Sequence, residues 1–145
     1  MRQSIGMSQQ LNLIIIFILI VFALIAASLS YYKAFKINNV ITDSIEKYEG
    51  YNDFSKNEIK NSLASLGYQK ISINCNNNNL SDKSDGFCAY LGEIKKNGDN
   101  VVSYNYKVTT YMYIDLPIIN IIKIPITATT NQISCVGNNN KCKEL

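Results

Sequence analysis

A serine followed three positions later by a lysine occurs twice in this chain, at Ser30-Tyr31-Tyr32-Lys33 and at Ser44-Ile45-Glu46-Lys47. On a helix that spacing sets the amine beside the hydroxyl, and a desolvated lysine there can serve as base for a serine nucleophile. The S-D-N and K-T-G motifs that complete such acyl-enzymes do not occur in the sequence. Both pairs therefore read as ordinary helix-face residues. Asp82 and Asp85, in LSDKSDG, raise the question of calcium. An EF-type loop needs oxygen ligands at alternating positions ahead of its glycine, and those positions fall on Ser81 and Lys83. A lysine there repels a cation, so the segment reads as a turn. The chain has no histidine, hence neither the commonest general base nor the commonest metal ligand. No catalytic, cofactor-binding or metal-ligating residue is expected, and the chain does not read as an enzyme.

The four cysteines, Cys75, Cys88, Cys135 and Cys142, carry the remaining chemistry. Neither neighbouring pair has the CxxC spacing of a zinc or redox motif. An even count in a short domain favours disulfides, for which three connectivities exist. Cys75–Cys88 and Cys135–Cys142 are the favoured pairs, because each closes a polar, turn-rich loop (NNNNLSDKSDGF and VGNNNK). Disulfides imply an oxidising compartment.

Something must hold these loops, and residues 11–30, LNLIIIFILIVFALIAASLS, dictate where. No charge lies between Arg2 and Lys33. Twenty helical residues rise ~30 Å, the thickness of a bilayer's hydrocarbon core. The stretch is expected to be a transmembrane helix, preceded by a short cytoplasmic leader at 1–10 and followed by an extracytoplasmic domain at 31–145. AAS at positions 26–28 is the nearest approach to a signal-peptidase site, but the apolar run exceeds the ~7–15 residues of a signal core. Charges flanking the helix are too few to orient it. The cysteines orient it, with the N-terminus inside and the domain outside. All 11 acidic and 13 of the 14 basic residues fall in that domain, a balance that argues against a nucleic-acid partner.

Beyond the anchor the helix is expected to continue, from about Gln10 to Glu49. Ile37, Ile41, Ile45 and Tyr48 form one stripe, Tyr31 and Tyr32 meet the headgroups, and Gly50 is the expected stop. Ser55-Lys56-Asn57-Glu58 reads as a capping box with Ser55 as N-cap. That box opens a second helix, which buries Ile59, Leu63 and Leu66, carries Phe54 as a staple and ends at Gly67. Strands are expected from Tyr68, where Ile71 and Ile73 alternate with polar residues, then over FCAYLGEI, then over VVSYNYKVTTYMYI, the longest. In this longest strand Val102, Tyr104, Tyr106, Val108, Thr110, Met112 and Ile114 share one face. Asn97-Gly98 signals a hairpin. DLPIINIIKIP, with Pro117 and Pro125, reads as an apolar bend or short crossover before a final strand at 124–133. The fold class is α+β: an N-terminal helix packed on a small antiparallel sheet of three to four strands. Tyr111 and Tyr113 are candidates for an aromatic contact with another subunit.

Two stretches, MSQQLNLIIIFILIVFALIAASLSYYKAFKINNVI and YKVTTYMYIDLPIINIIKIPITATT, carry a resemblance in layout to type IV pilins and pseudopilins. More closely, the chain resembles the TadE-like family, the minor pilin-like components of Tad/Flp-type pilus systems. The resemblance implies a pilin-like fold and a structural role in the assembly of a pilus or secretion apparatus on a bacterial membrane. Its partners would be the membrane, other pilin-like subunits in a homo- or hetero-oligomer, and the assembly machinery. It further implies that Gly6 would end a leader, MRQSIG, with Met7 as the first mature residue. The fifth mature position is then Leu11, where many pilins carry Glu. A tethered sensor or ligand-binding ectodomain, or a small accessory subunit of a membrane complex, is the alternative reading.

Overall fold

The computed structural model describes residues 2–68, 72–82, 84–98, 100–116, 119–135 and 142. Its dominant element is α1 (Arg2–Lys47), 46 residues of uninterrupted helix and hence about 70 Å long. The helix starts eight residues earlier than expected, because no Pro and only Gly6 interrupts residues 2–10. Its end also differs. Glu49, not a glycine, takes the left-handed conformation (φ 51°). The Glu49 amide donates to the Glu46 carbonyl at 3.0 Å and the Gly50 amide to the Ile45 carbonyl at 2.9 Å. This is the double bond of a Schellman stop, with Gly50 one position later than expected. The Tyr104 hydroxyl donates to the Glu49 carbonyl at 3.0 Å, so a contact from the sheet helps hold the unusual conformation.

Helix α2 (Asp53–Ser65) begins before the expected box. Asn52 is the N-cap: its Oδ1 accepts from the amides of Phe54 (3.1 Å) and Ser55 (3.0 Å), and its own amide donates to Ser55 Oγ at 2.9 Å. Ser55 is thus the third helical residue of a capping box, not its N-cap, as asparagine caps as well as serine. Glu58 is released from capping and receives Lys47 Nζ (2.8 and 2.9 Å) from the end of α1 and the Tyr48 hydroxyl (2.6 Å) from just beyond it. Phe54 is 73% exposed and stacks on Tyr48 rather than stapling the helix start. Gly67, at φ 62°, ends α2 in the expected way.

Among the described residues the sheet has four antiparallel strands: β1 (Phe87–Asn97), β2 (Asn100–Leu116), β3 (Ile119–Thr129) and β4 (Ile133–Ser134). β2 is central, with β1 on one side and β3 then β4 on the other. The β1–β2 hairpin closes with Asn97 opposite Asn100 and Gly98 at φ 62° in the turn. Two expectations fail here. Residues 72–76 form no strand; Ile73 is buried, and Ile71 lies outside the described residues. The neighbouring Asn79 side chain bonds the Ala89 amide and Ser81 instead, local bonding that competes with a ladder. Conversely, the described part of the stretch read as a bend or crossover is strand: 115–116 close β2, and β3 runs from Ile119 through Pro125, which sits opposite Tyr111. A proline is tolerated because, among the described residues, β3 pairs only with β2 and is an edge strand. Pro117 lies outside the described residues.

α1 crosses β2 and β3 with its C-terminal half. Ile37, Ile41 and Ile45 meet Ile59 and Leu63 of α2 and Phe87, Ala89, Tyr104, Tyr106 and Val108 of the sheet. Ile41, Ile45 and Val108 are wholly buried. Alternation along β2 buries Tyr104, Tyr106, Val108 and Thr110 as expected, but Val102 is 40% exposed near the hairpin end. The side chains of Met112 and Ile114 lie outside those described. Cys75 is bonded to Cys88 and Cys135 to Cys142, with Cα separations of 5.8 and 6.2 Å.

Candidate functional site

Two surfaces stand out, and α1 positions both. The first is its own apolar half. The helix holds a window of mean hydropathy 3.1, none of it buried against the rest of the chain. Leu13 is 71% exposed and Phe22 65%, and bulky residues face every direction around the axis. The domain first approaches the helix near Ala26–Ser30, where Leu66 faces it across an open cleft, and buries it from Ala34 onward. Such a surface is insoluble as it stands, and it is long and apolar enough to cross a bilayer. The attached domain holds two disulfides, which point to an oxidising space. Gly6 and Met7 both lie in the first turns of α1.

The second surface is a cleft where the helix enters the domain. Ser30, Lys33, Ala34 and Ile37 of α1 form one wall, Leu66, Gly67 and Tyr68 at the end of α2 another, and Tyr111 and Tyr113 of β2 the third. Its volume is ≈ 290 Å³. A second opening of ≈ 540 Å³ continues down the helix past Ala26, Leu29, Tyr32 and Lys36. Tyr111 and Tyr113 are half-buried here, since the β1 ladder ends with Phe87 opposite Thr110 and the tyrosines follow at once. They line this cleft, and Tyr111 also borders the groove on the outer sheet face. Lys123 Nζ lies 5.8 Å from the Tyr113 ring centre. Burial, then the Tyr111 hydroxyl, raises the Tyr113 phenol above its ordinary value. Tyr68 is pushed up to about 12, mainly by burial, and donates to the Gly86 carbonyl at 2.6 Å. Both phenols stay protonated; Tyr68 spends its donor on Gly86, and the Tyr113 hydroxyl is buried with no partner among the described residues.

The serine–lysine pairs separate. Ser44 is buried and donates to the Val40 carbonyl at 2.8 Å, while Lys47 turns to Glu58. Ser30 and Lys33 share the cleft. The Asp85 carboxylate accepts from the Asp82 amide at 3.2 Å and closes the turn; Lys83 lies outside the described residues. Among the described residues, no three His, Cys, Asp or Glu side chains gather as a metal site. A third groove of ≈ 560 Å³ crosses the outer sheet face between Asn74–Asn78 and Tyr90, Lys107 and Thr127.

Asn38 escaped the sequence reading. It is wholly buried under the helix–sheet seam, and its Nδ2 faces the carbonyls of Ile126 (2.7 Å) and Val108 (3.3 Å) and Thr110 Oγ1 (3.2 Å). Its signal was available: three residues before Ile41, it falls on the apolar stripe. No family model, curated protein or solved structure matches this chain.

Proposed function

We propose that the protein is a membrane-anchored, pilin-like structural subunit of the TadE-like kind, oriented with its N-terminus inside and its disulfide-bonded domain outside a bacterial membrane. One observation carries the reading. A single helix is apolar around its axis over residues 11–30 and built into an antiparallel sheet beyond them. A simple tether needs no rigid continuity between anchor and domain. A subunit that stacks by its anchor does, since the orientation of the domain then follows from the packing of the helix. Helix association in lipid rests on close packing, to which the small residues Ala23, Ala26 and Ala27 are suited. The role is assembly, with no chemistry of its own.

The ligand-binding alternative has less support. The most closed void described, beside Tyr51 and Phe87, is ≈ 10 Å³, room for about one water, and the larger clefts are open. The test is the intact mass of the protein expressed with and without a cognate prepilin peptidase. Loss of MRQSIG, blocked by Gly6→Leu, supports a processed filament subunit. An unchanged mass beside an active peptidase leaves a permanently anchored accessory protein and rejects pilin-type processing.

A further inference from the structure

We infer that the cleft between α1, the end of α2 and β2 holds the phosphodiester headgroup of an anionic phospholipid. The inference rests on the anchoring part of the proposed function and not on subunit assembly. Depth comes first. If residues 11–30 fill the ~30 Å core, Lys33 stands about 4.5 Å beyond its edge and Lys36 about 9 Å. The headgroup layer is about 5–7 Å deep on each side. Lys33 therefore lies within the phosphate layer, and Lys36 reaches down to it on a flexible stem.

Charge comes second. The cleft and its continuation are lined by Lys33 and Lys36 with no carboxylate among their described lining residues. Two uncompensated ammonium groups at phosphate depth complement an anionic headgroup. The third argument is polarity, which is graded along the cleft as a lipid is. The portion toward the membrane is walled by Ala26, Leu29 and Leu66, where glycerol and the first acyl methylenes would rest. Ser30 lines both portions and Tyr111 the portion toward the domain, and their hydroxyls can donate to phosphate or glycerol oxygens. A lipid seated there contacts anchor, α2 and sheet together.

The experiment uses the full chain in nanodiscs of phosphatidylcholine mixed equally with phosphatidylglycerol, with retained lipid read by native mass spectrometry after release. Phosphatidylglycerol should be retained in preference. Lys33→Gln should lower that preference about fivefold, the effect of removing one basic group close to an anionic surface, and Lys95→Gln, at the far hairpin, should leave it unchanged. Ser30→Phe fills the cleft without altering charge and should abolish retention. Should Ser30→Phe not fold, Ala26→Phe narrows the same opening from an exposed position. Equal retention of both lipids overturns the inference. So does preference that survives the filling variants, which would mark a diffuse basic surface. Displacement of phosphatidylglycerol by soluble glycerol 3-phosphate would assign the cleft to a free anion and also overturn it. Failure to insert into any disc removes the anchoring reading as well, an outcome distinct from insertion without selectivity.

Discussion

The Asn38 amide of α1 donates to the Ile126 carbonyl of β3 at 2.7 Å, across the buried helix–sheet seam. Thr110 stands beside them, its hydroxyl 3.2 Å from Asn38 Nδ2 and 3.3 Å from the Ala34 carbonyl. Helix, central strand and edge strand thus meet at one amide, so a helix shifted by one turn would strand several buried polar groups. Asn38→Leu should destabilise the full chain by about 1–3 kcal/mol in urea unfolding, the cost of leaving buried acceptors unpaired. Asn38→Asp should cost more, because a buried carboxylate would face those acceptors. Equal stability of Asn38→Leu and the parent would mean the seam is held by its isoleucines alone.

Gly92 and Asn105 make a second test. The register of β1 slips between Leu91 and Ile94, and in this bulge Asn105 Oδ1 accepts the Glu93 amide at 2.6 Å. A Cβ on Gly92 would collide with that side-chain oxygen and crowd the Asn105 carbonyl. Gly92→Ala should therefore expel Asn105 and cost about 1–3 kcal/mol, measured by the same unfolding. In an Asn105→Ala background the further loss should shrink, since the two changes remove one contact.

The α1–α2 clamp sets a pH response. The Lys47 ammonium, and then the Tyr48 hydroxyl, hold the Glu58 carboxyl below its ordinary 4.5. Folded Glu58 thus binds its proton less readily than unfolded Glu58. Its contribution is present above pH 4.5 and is lost as pH falls through the folded value. Thermal midpoints of the parent should drop on acidification through that window, and Glu58→Gln should flatten the part of the drop that Glu58 causes. The effect should weaken in high salt, as the pair is partly exposed. An unchanged slope in Glu58→Gln would assign acid sensitivity elsewhere.

Orientation is checked through the bonded cysteine pairs. A membrane-impermeant thiol reagent should label intact cells only after reduction. Labelling without reductant would contradict the disulfides, and no labelling after it would place the domain inside.

The sequence by itself determined what depends on local composition. An unbroken apolar run has one stable environment. The spacing of Ile37, Ile41 and Ile45 admits one buried face, and alternation along β2 does the same for Tyr104, Tyr106 and Val108. Short polar loops between cysteines likewise favour their own closure. Elements whose state depends on a distant partner were not legible. Asn52 rather than Ser55 caps α2 in a geometry where Glu58 also meets Lys47 across the gap between helices. Glu49 takes a conformation costly for a side chain where Tyr104, 55 positions away, binds its carbonyl. Pro125 reads as a breaker until β3 is seen at the sheet's edge, where a missing donor costs nothing. The cleft could not be read from sequence either: Lys33, Leu66 and Tyr111 are far apart along the chain, and only the packing of α1 across β2 brings them together.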